Sequence, residues 1–239
     1  MHDVPLGPAS ECRRRRRVED DGGVSGEEGV SHWDRTYAEG DATRSWFQGF
    51  PAASIRMIDA VGAAGVDGVV DVGGGASCLV DALLERGLTD VTVMDLSEVG
   101  MAAARRRLGV RADRVEWVAA DVRTWRPLRT FRLWHDRAVL HFMTLQDRAA
   151  YLETLRVATD VDALAVFGCF ASDGPERCSG LPVTRYDVDD LAEFLGREWT
   201  IVAEARERHR TPVGAEQSFT WAVFRRSVAA STGITGGDS

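Results

Sequence analysis

The segment Val69-Val70-Asp71-Val72-Gly73-Gly74-Gly75-Ala76-Ser77 constrains the fold more than any other stretch of the chain. An apolar run passes directly into three glycines and then into a helical stretch. That combination lets a ligand approach the backbone with no Cβ in the way and sets helix amides against it. A nucleotide-like cofactor is expected there. Apolar runs at 68–72, 91–94, 115–119, 131–135 and 164–171 alternate with helical spacing at 76–86, 98–108, 147–158 and 188–195. This rhythm predicts βαβ units and a parallel sheet. The runs at 199–206 and 218–225 flank the turn-rich Arg210-Thr211-Pro212-Val213-Gly214, which suits two strands joined by a loop rather than a crossover helix. The sheet is therefore expected to be mostly parallel with an antiparallel final pair. Helical stretches at 32–39 and 52–63 precede the first strand.

The 239 residues suit one globular domain. Residues 1–30 mix Gly, Asp, Glu and the Arg13–Arg17 run without apolar periodicity, so a disordered leader is expected there. A domain over 31–226 and a second tail over 227–239 complete the expected organisation. No run approaches the ~18 apolar residues a membrane helix needs, and no apolar stretch follows the arginines as in a secretory signal, so the expected address is cytoplasmic.

Every basic residue is arginine. The 29 Lys+Arg positions contain no lysine, which excludes a P-loop lysine, a pyridoxal Schiff base and a kinase-type strand lysine. Cys12, Cys78, Cys169 and Cys178 show no C-x-x-C or zinc spacing and read as free thiols, with no metal expected. Net charge is −8 overall. Nucleic-acid binding normally requires a basic excess, so a small or weakly charged acceptor fits better.

Carboxylates follow the first three strands. Asp71 precedes the glycines, Asp95 closes the second strand and Asp121 follows the third. Ligands of open α/β sheets bind at that edge, where Asp95 can accept both ribose hydroxyls of a nucleoside and Asp121 an exocyclic adenine amine. A dinucleotide fingerprint would require glycine at position 78, where Cys78 stands, so a dehydrogenase ranks last.

Asp71-x-Gly73-Gly74-Gly75, Asp95 and Asp121-Val122 resemble the motifs of class I S-adenosylmethionine-dependent methyltransferases over residues 31–226. The resemblance implies a Rossmann-like fold, a mostly parallel seven-stranded sheet with an antiparallel last strand, and S-adenosyl-L-methionine as cofactor. Gly73, Gly74 and Gly75 would pass its methionine part, Asp95 with Leu96 its ribose, and Asp121 with Val122 its adenine. Ser77 stands where many members carry another glycine. Three further segments resemble a narrower bacterial branch: Trp33-Asp34-x-x-Tyr37 with Ser45-Trp46-Phe47, Trp134-His135-Asp136-Arg137-Ala138-Val139-x-His141-Phe142, and the stretch from Gly174 to Tyr186. The first is also similar to the entry segment of certain protein-lysine methyltransferases, and Asp136-Arg137 is similar to thiopurine-type sulfur methyltransferases.

Methyl transfer from a sulfonium is an in-line displacement in which positioning supplies most of the rate. The expected catalytic residues sit after the fourth strand: His141 as general base or acceptor orienter, Arg137 for an anionic or thiolate group, and Asp136 beside them. His135, Trp33, Tyr37 and Trp46 join the cofactor-binding set, the aromatics as a cover that excludes water. Cys178 and His209 are secondary candidates near the acceptor, with a buried thiol and a surface turn as their plain alternatives. The expected acceptor is a small molecule with a sulfur or related nucleophile. A protein lysine is the second choice, and a non-catalytic S-adenosylmethionine-binding module is the reading from another class. No Asn/Asp-Pro-Pro-aromatic sequence and no Pro-Cys dipeptide occurs, which argues against DNA and ring-carbon RNA substrates.

Overall fold

A computed structural model describes residues 26–40, 44–63 and 65–227. The chain order is α1 (Gly26–Ala38), α2 (Ala52–Ala60), β1 (Val69–Val72), α3 (Leu79–Glu85), β2 (Val91–Asp95), α4 (Glu98–Leu108), β3 (Val115–Ala119), β4 (Phe131–Arg137), α5 (Leu145–Ala158), β5 (Thr159–Phe170), β6 (Arg177–Cys178), β7 (Leu181–Pro182), α6 (Val188–Leu195), β8 (Trp199–Arg210) and β9 (Glu216–Arg226). Seven strands form one sheet in the order β3-β2-β1-β4-β5-β9-β8, while β6 and β7 make a separate two-residue ribbon. Strands β1 to β5 pair in parallel, and β9 runs antiparallel between β5 and β8. The expected mostly parallel seven-stranded sheet with its last strand antiparallel is the observed one.

The strands read as continuous apolar runs because both faces of the sheet are covered. Val69, Val93, Leu133 and Val166 point to one side, against Ile58 of α2, Leu79 and Leu83 of α3 and Met101 of α4. Their neighbours Val70, Met94, Trp134 and Phe167 point to the other, against Tyr151 and Leu155 of α5 and Leu191 and Leu195 of α6. Burial of each such side chain contributes about 1.5–3 kcal/mol.

Polar caps set the helix starts. The Ser97 hydroxyl accepts from Gly100 N at the head of α4, and Thr144 and Asp147 form a reciprocal capping box at α5. Helix α1 begins at Gly26, inside the segment expected as a leader, whereas residues 1–25 and 228–239 lie outside the described residues. Helix α3 starts at Leu79, three residues later than its spacing suggested, because Ala76–Cys78 completes the turn out of the glycines and the Ser77 hydroxyl accepts from Leu79 N. Strand β5 starts at Thr159, earlier than expected. Its first turn carries the exposed Asp160, Val161 and Asp162, which hide the apolar signal.

Strand β1 connects outward to β2, and β4 returns on the other side of β1, so the order reverses between β1 and β4. A crevice opens at the carboxyl ends of strands at such a switch point. Asp71 lies opposite Val93 on one side and His135 on the other.

Candidate active site

The three glycines are required by close approach. Gly73 and Gly74 both donate to the Met94 carbonyl, at 2.7 and 3.2 Å, which folds the loop over the end of β2. A Cβ on Gly73, where φ is +67°, would lie 2.1 Å from Val139 Cγ2. One on Gly75 would lie 2.2 Å from the Tyr37 hydroxyl, and one on Gly74 would lie 2.7 Å from Asp71 Oδ2.

Two connected clefts surround this loop. The first encloses about 960 Å³ out to its open mouth and is lined by Asp95, Leu96, Asp121 and Val122 on the β2–β3 side, and by Ala138, Val139, Phe142 and Met143 after β4. Cys178, Leu181 and Pro182 close its far wall. The second, of about 540 Å³, lies over Asp71, Gly74, Ser54 and His135. Gly73, Tyr37, Trp46 and Arg137 border both, so the two clefts adjoin at these four residues.

Asp95 faces this space. Its Oδ1 accepts from Ser97 N at 2.7 Å and its Oδ2 from the Tyr37 hydroxyl at 3.3 Å. Burial pushes its pKa up to about 7. Asp121 also borders the first cleft, but the Arg123 guanidinium already grips both its oxygens and reaches on to Asp147 at 3.1 Å. Partial burial works against the charge of Asp121, yet the Arg123 bonds outweigh it and hold the pKa below its ordinary value.

Helix α1 brings aromatic side chains to the edge of the clefts. Trp33 and Tyr37 are four residues apart and share a face, and with Trp46 and Phe142 they form a cluster whose ring centroids lie 5.0–6.4 Å apart, mostly edge to face. Arg44 donates to the Tyr37 carbonyl at 2.8 Å and lies over its ring. The segment after it is pinned by Arg137 donating to the Trp46 carbonyl at 2.9 Å and by His209 Nε2 on the Ser45 carbonyl at 2.7 Å. His209 is therefore a buried anchor rather than a surface turn, and it is not among the residues lining either cleft.

The residues after β4 divide differently from the expectation. Asp136 is fully buried: its carboxylate accepts from Val139 N, Leu140 N and the Tyr151 hydroxyl, and it turns the chain instead of facing the cleft. His141 is fully buried against Phe142 and Phe170, lines neither cleft, and is held by burial and the nearby Arg137 at a pKa of about 3. Neither expected catalytic side chain therefore lines the clefts. In the 3₁₀ turn Leu140–Phe142, three residues make one revolution, so Val139 and Phe142 face the cleft and His141 turns inward.

Arg137 does reach the site. Beyond its bond to Trp46 and its stacking on Phe219 at 5.0 Å, its Nε and Nη2 are shielded from solvent and without a partner, and it pairs with no carboxylate among the described residues. Burial lowers its pKa. Cys178 lines the first cleft as a buried thiol pushed up to about 11 by burial. Met143, Ser54 and Arg44 escaped the sequence reading. Among the described residues no group of three or more His, Cys, Asp or Glu side chains is placed to hold a metal ion, and no helix is long and apolar enough to cross a membrane.

Residues 69–160, from β1 to the start of β5, match a family model described as a methyltransferase domain. The chain carries a methyltransferase domain. No curated protein sequence matches it. Solved structures share the methyltransferase fold. The Burkholderia thailandensis 1,6-didemethyltoxoflavin-N1-methyltransferase, bound to 1,6-didemethyltoxoflavin and S-adenosylhomocysteine, is 23% identical with a TM-score of 0.66, covering 87% of this chain and 93% of its own. A structure from work on conversion of a disulfide bond into a thioacetal group during echinomycin biosynthesis is 22% identical with a TM-score of 0.67, covering 83% and 93%. The N-methyltransferase NodS from Bradyrhizobium japonicum WM9, in complex with S-adenosylhomocysteine, is 14% identical with a TM-score of 0.61, covering 80% and 97%.

Proposed function

We propose that this methyltransferase domain takes its methyl group from S-adenosylmethionine and passes it to a small, largely apolar molecule whose nucleophile is a thiolate or a similar anion. The observation that carries the acceptor class is Arg137. A shielded guanidinium with two unpartnered nitrogens and no carboxylate is costly by itself, and an anionic ligand offsets that cost. Around it the first cleft offers Trp46, Phe142, Met143, Leu181 and Pro182, which suit an apolar body.

The residues fit the donor. The glycine loop leaves its backbone uncovered toward the clefts, Asp95 presents a carboxylate where ribose hydroxyls would donate, and Leu96 and Val122 bracket the space for the base. Asp121 lies at the same edge with its charge secured by Arg123. When bound, S-adenosylmethionine supplies an electrophilic methyl group on a positively charged sulfur. The chain's own part is alignment and exclusion of water. Trp33, Tyr37 and Trp46 cover the junction of the clefts, and Arg137 holds the acceptor anion there without needing a base. His141, neutral down to a pH of about 3 and out of reach, takes no proton from the acceptor.

A structure concerned with sulfur chemistry on a disulfide and an N1-methyltransferase of a small heterocycle are both similar to this chain, which supports a small acceptor over a protein lysine. The testing experiment follows S-adenosylhomocysteine formation against thiols, hydroxylated aromatics, amines and protein lysates. Turnover is expected with an aromatic thiol, and Arg137→Met is expected to raise its KM about tenfold or more, as loss of a charged hydrogen bond does. Product formed only with a lysate would favour the protein-lysine reading. No product from the whole panel, with donor binding intact, would favour a binding module.

A further inference from the structure

The loop that carries Trp46 is held from the far edge of the sheet, by two residues of β8 that line neither cleft. Glu207 and His209 stand two apart on that strand and so face the same side. His209 Nε2 lies 2.7 Å from the Ser45 carbonyl oxygen. Gln48 Nε2 lies 3.2 Å from His209 Nδ1 and 3.1 Å from Glu207 Oε1, and the other oxygen of Glu207 accepts from the Trp221 indole at 2.7 Å.

The partners fix every proton in this chain. A carbonyl oxygen only accepts, so His209 Nε2 carries its hydrogen, and the neutral ring then offers a lone pair at Nδ1. A carboxylate also only accepts, and the two amide hydrogens of Gln48 serve His209 and Glu207 at once. A second proton on His209 would break this order, because Nδ1–H would face those amide hydrogens. Turning the amide round would answer the histidine but set its oxygen against the Glu207 carboxylate. Only the neutral ring fits. Burial and the cation of Arg137 on β4 lower its pKa, while the Ser45 bond and the Glu207 charge act the other way. Phe219 meets the ring edge-on and Gln217 stands opposite it on β9, and neither carries a charge.

Arg137 shares this anchor. It donates to the Trp46 carbonyl, one residue beyond the carbonyl that His209 holds, and it lies over the same Phe219 ring that His209 meets. We infer that His209 and Glu207, acting through Gln48, are positioning residues for the acceptor: they fix residues 45–48 so that the Trp46 ring and the Arg137 guanidinium meet the acceptor where the two clefts adjoin. This rests on the acceptor reading above and adds the residues behind the clefts on which acceptor affinity depends. Loss of the His209 or Gln48 bonds frees the loop, and the effect reaches the acceptor without any contact from β8.

The test follows two quantities on the full chain: KM for an aromatic thiol at saturating S-adenosylmethionine, and amide-exchange protection of residues 45–48. His209→Gln keeps an N–H for the Ser45 carbonyl on a side chain that does not titrate, His209→Leu keeps only bulk, and Gln48→Met removes both amide bonds at a half-buried position. His209→Leu and Gln48→Met are expected to raise KM about three- to tenfold and to lower protection at 45–48 by a similar factor, with β8 and β9 unchanged. His209→Gln is expected to stay within about threefold of wild type at pH 8. Below the ordinary histidine value of ~6.5 the wild type is expected to lose acceptor affinity relative to His209→Gln, since only the imidazole takes a proton. An unchanged KM in both His209→Leu and Gln48→Met, a ratio of wild type to His209→Gln that stays constant down to the acid limit of the fold, or protection lost equally along β8 and β9 would overturn the inference. If wild type turns over no thiol, the acceptor reading fails, and exchange at 45–48 alone decides whether the anchor exists.

Discussion

The Tyr37 hydroxyl, carried on α1, donates to Asp95 Oδ2 at the end of β2 across 3.3 Å, and the ring of the same tyrosine fills the space over Gly75 and Gly100. The aromatic cover is thus tied to the carboxylate assigned to the ribose. Because burial pushes Asp95 up to about 7, donor binding is expected to depend on pH. Ribose hydroxyls donate to the ionised form, so S-adenosylhomocysteine affinity should rise with pH up to about 7, by at most about tenfold per unit, and level off above it. Asp95→Asn should flatten the profile and weaken binding. A wild-type affinity constant from pH 5.5 to 8 would show that Asp95 does not carry the ribose.

The same raised value has a consequence for stability. An acid whose folded pKa lies above its unfolded value of ~4 binds protons more tightly when folded, so its contribution to stability falls as pH rises from about 4 to about 7. Urea midpoints for wild type and Asp95→Asn should therefore converge at about pH 4 and separate at pH 8, with the variant the more stable. Parallel curves would refute this.

Asp34 ties α1 down at a second point. Its Oδ1 accepts from the Ser97 hydroxyl at 2.5 Å, while that hydroxyl accepts from Gly100 N at the head of α4. Asp34→Ala should cost about 1 kcal/mol and speed amide exchange in α1 without touching the sheet. Exchange that quickens in β1 and β4 as much as in α1 would mean that the helix is not an independent cover.

His141 gives the opposite sign to Asp95. A histidine held at about 3 when folded and near 6.5 when unfolded contributes no penalty above pH 6.5. Stability is lost as pH falls below that, by up to about 1.4 kcal/mol per unit, because only the unfolded chain takes the proton. His141→Leu should fill the same space between Phe142 and Phe170, remove this acid limb and keep turnover within a few-fold of wild type. A turnover loss of a hundredfold with an unchanged fold would return His141 to the catalytic role that its position in the sequence suggested.

The inward placement of His141 shows where the sequence is informative and where it is not. The strands were legible because a sheet covered on both faces demands unbroken apolar runs, and Val69–Val72 and Val91–Asp95 comply. The glycines and Asp95 were legible because close approach and strand-end carboxylates leave local marks. His141 was not, since its direction is set by a single 3₁₀ turn that Asp136 holds through Val139 N and Leu140 N. Ser54 left no mark either: it sits in an ordinary amphipathic helix, 81 residues from His135, whose Nε2 its hydroxyl meets. Arg137 was placed correctly at the strand end, but its lack of a carboxylate partner is a fact of packing alone.

Gly73 offers the sharpest test of the loop. Its φ of +67° already disfavours a side chain, and an added Cβ would meet Val139 Cγ2 at 2.1 Å, a distance no contact tolerates. Gly73→Ala should therefore push the loop away from the turn after β4, costing more than about 1 kcal/mol in stability and at least about tenfold in S-adenosylhomocysteine affinity. Val139→Ala removes the obstructing methyls but not the backbone strain, so the double variant should regain part of the affinity and not all of it. Full recovery would mean that the clash alone fixes glycine here, and no recovery would mean that the left-handed backbone does; partial recovery requires both, as the geometry of this loop implies.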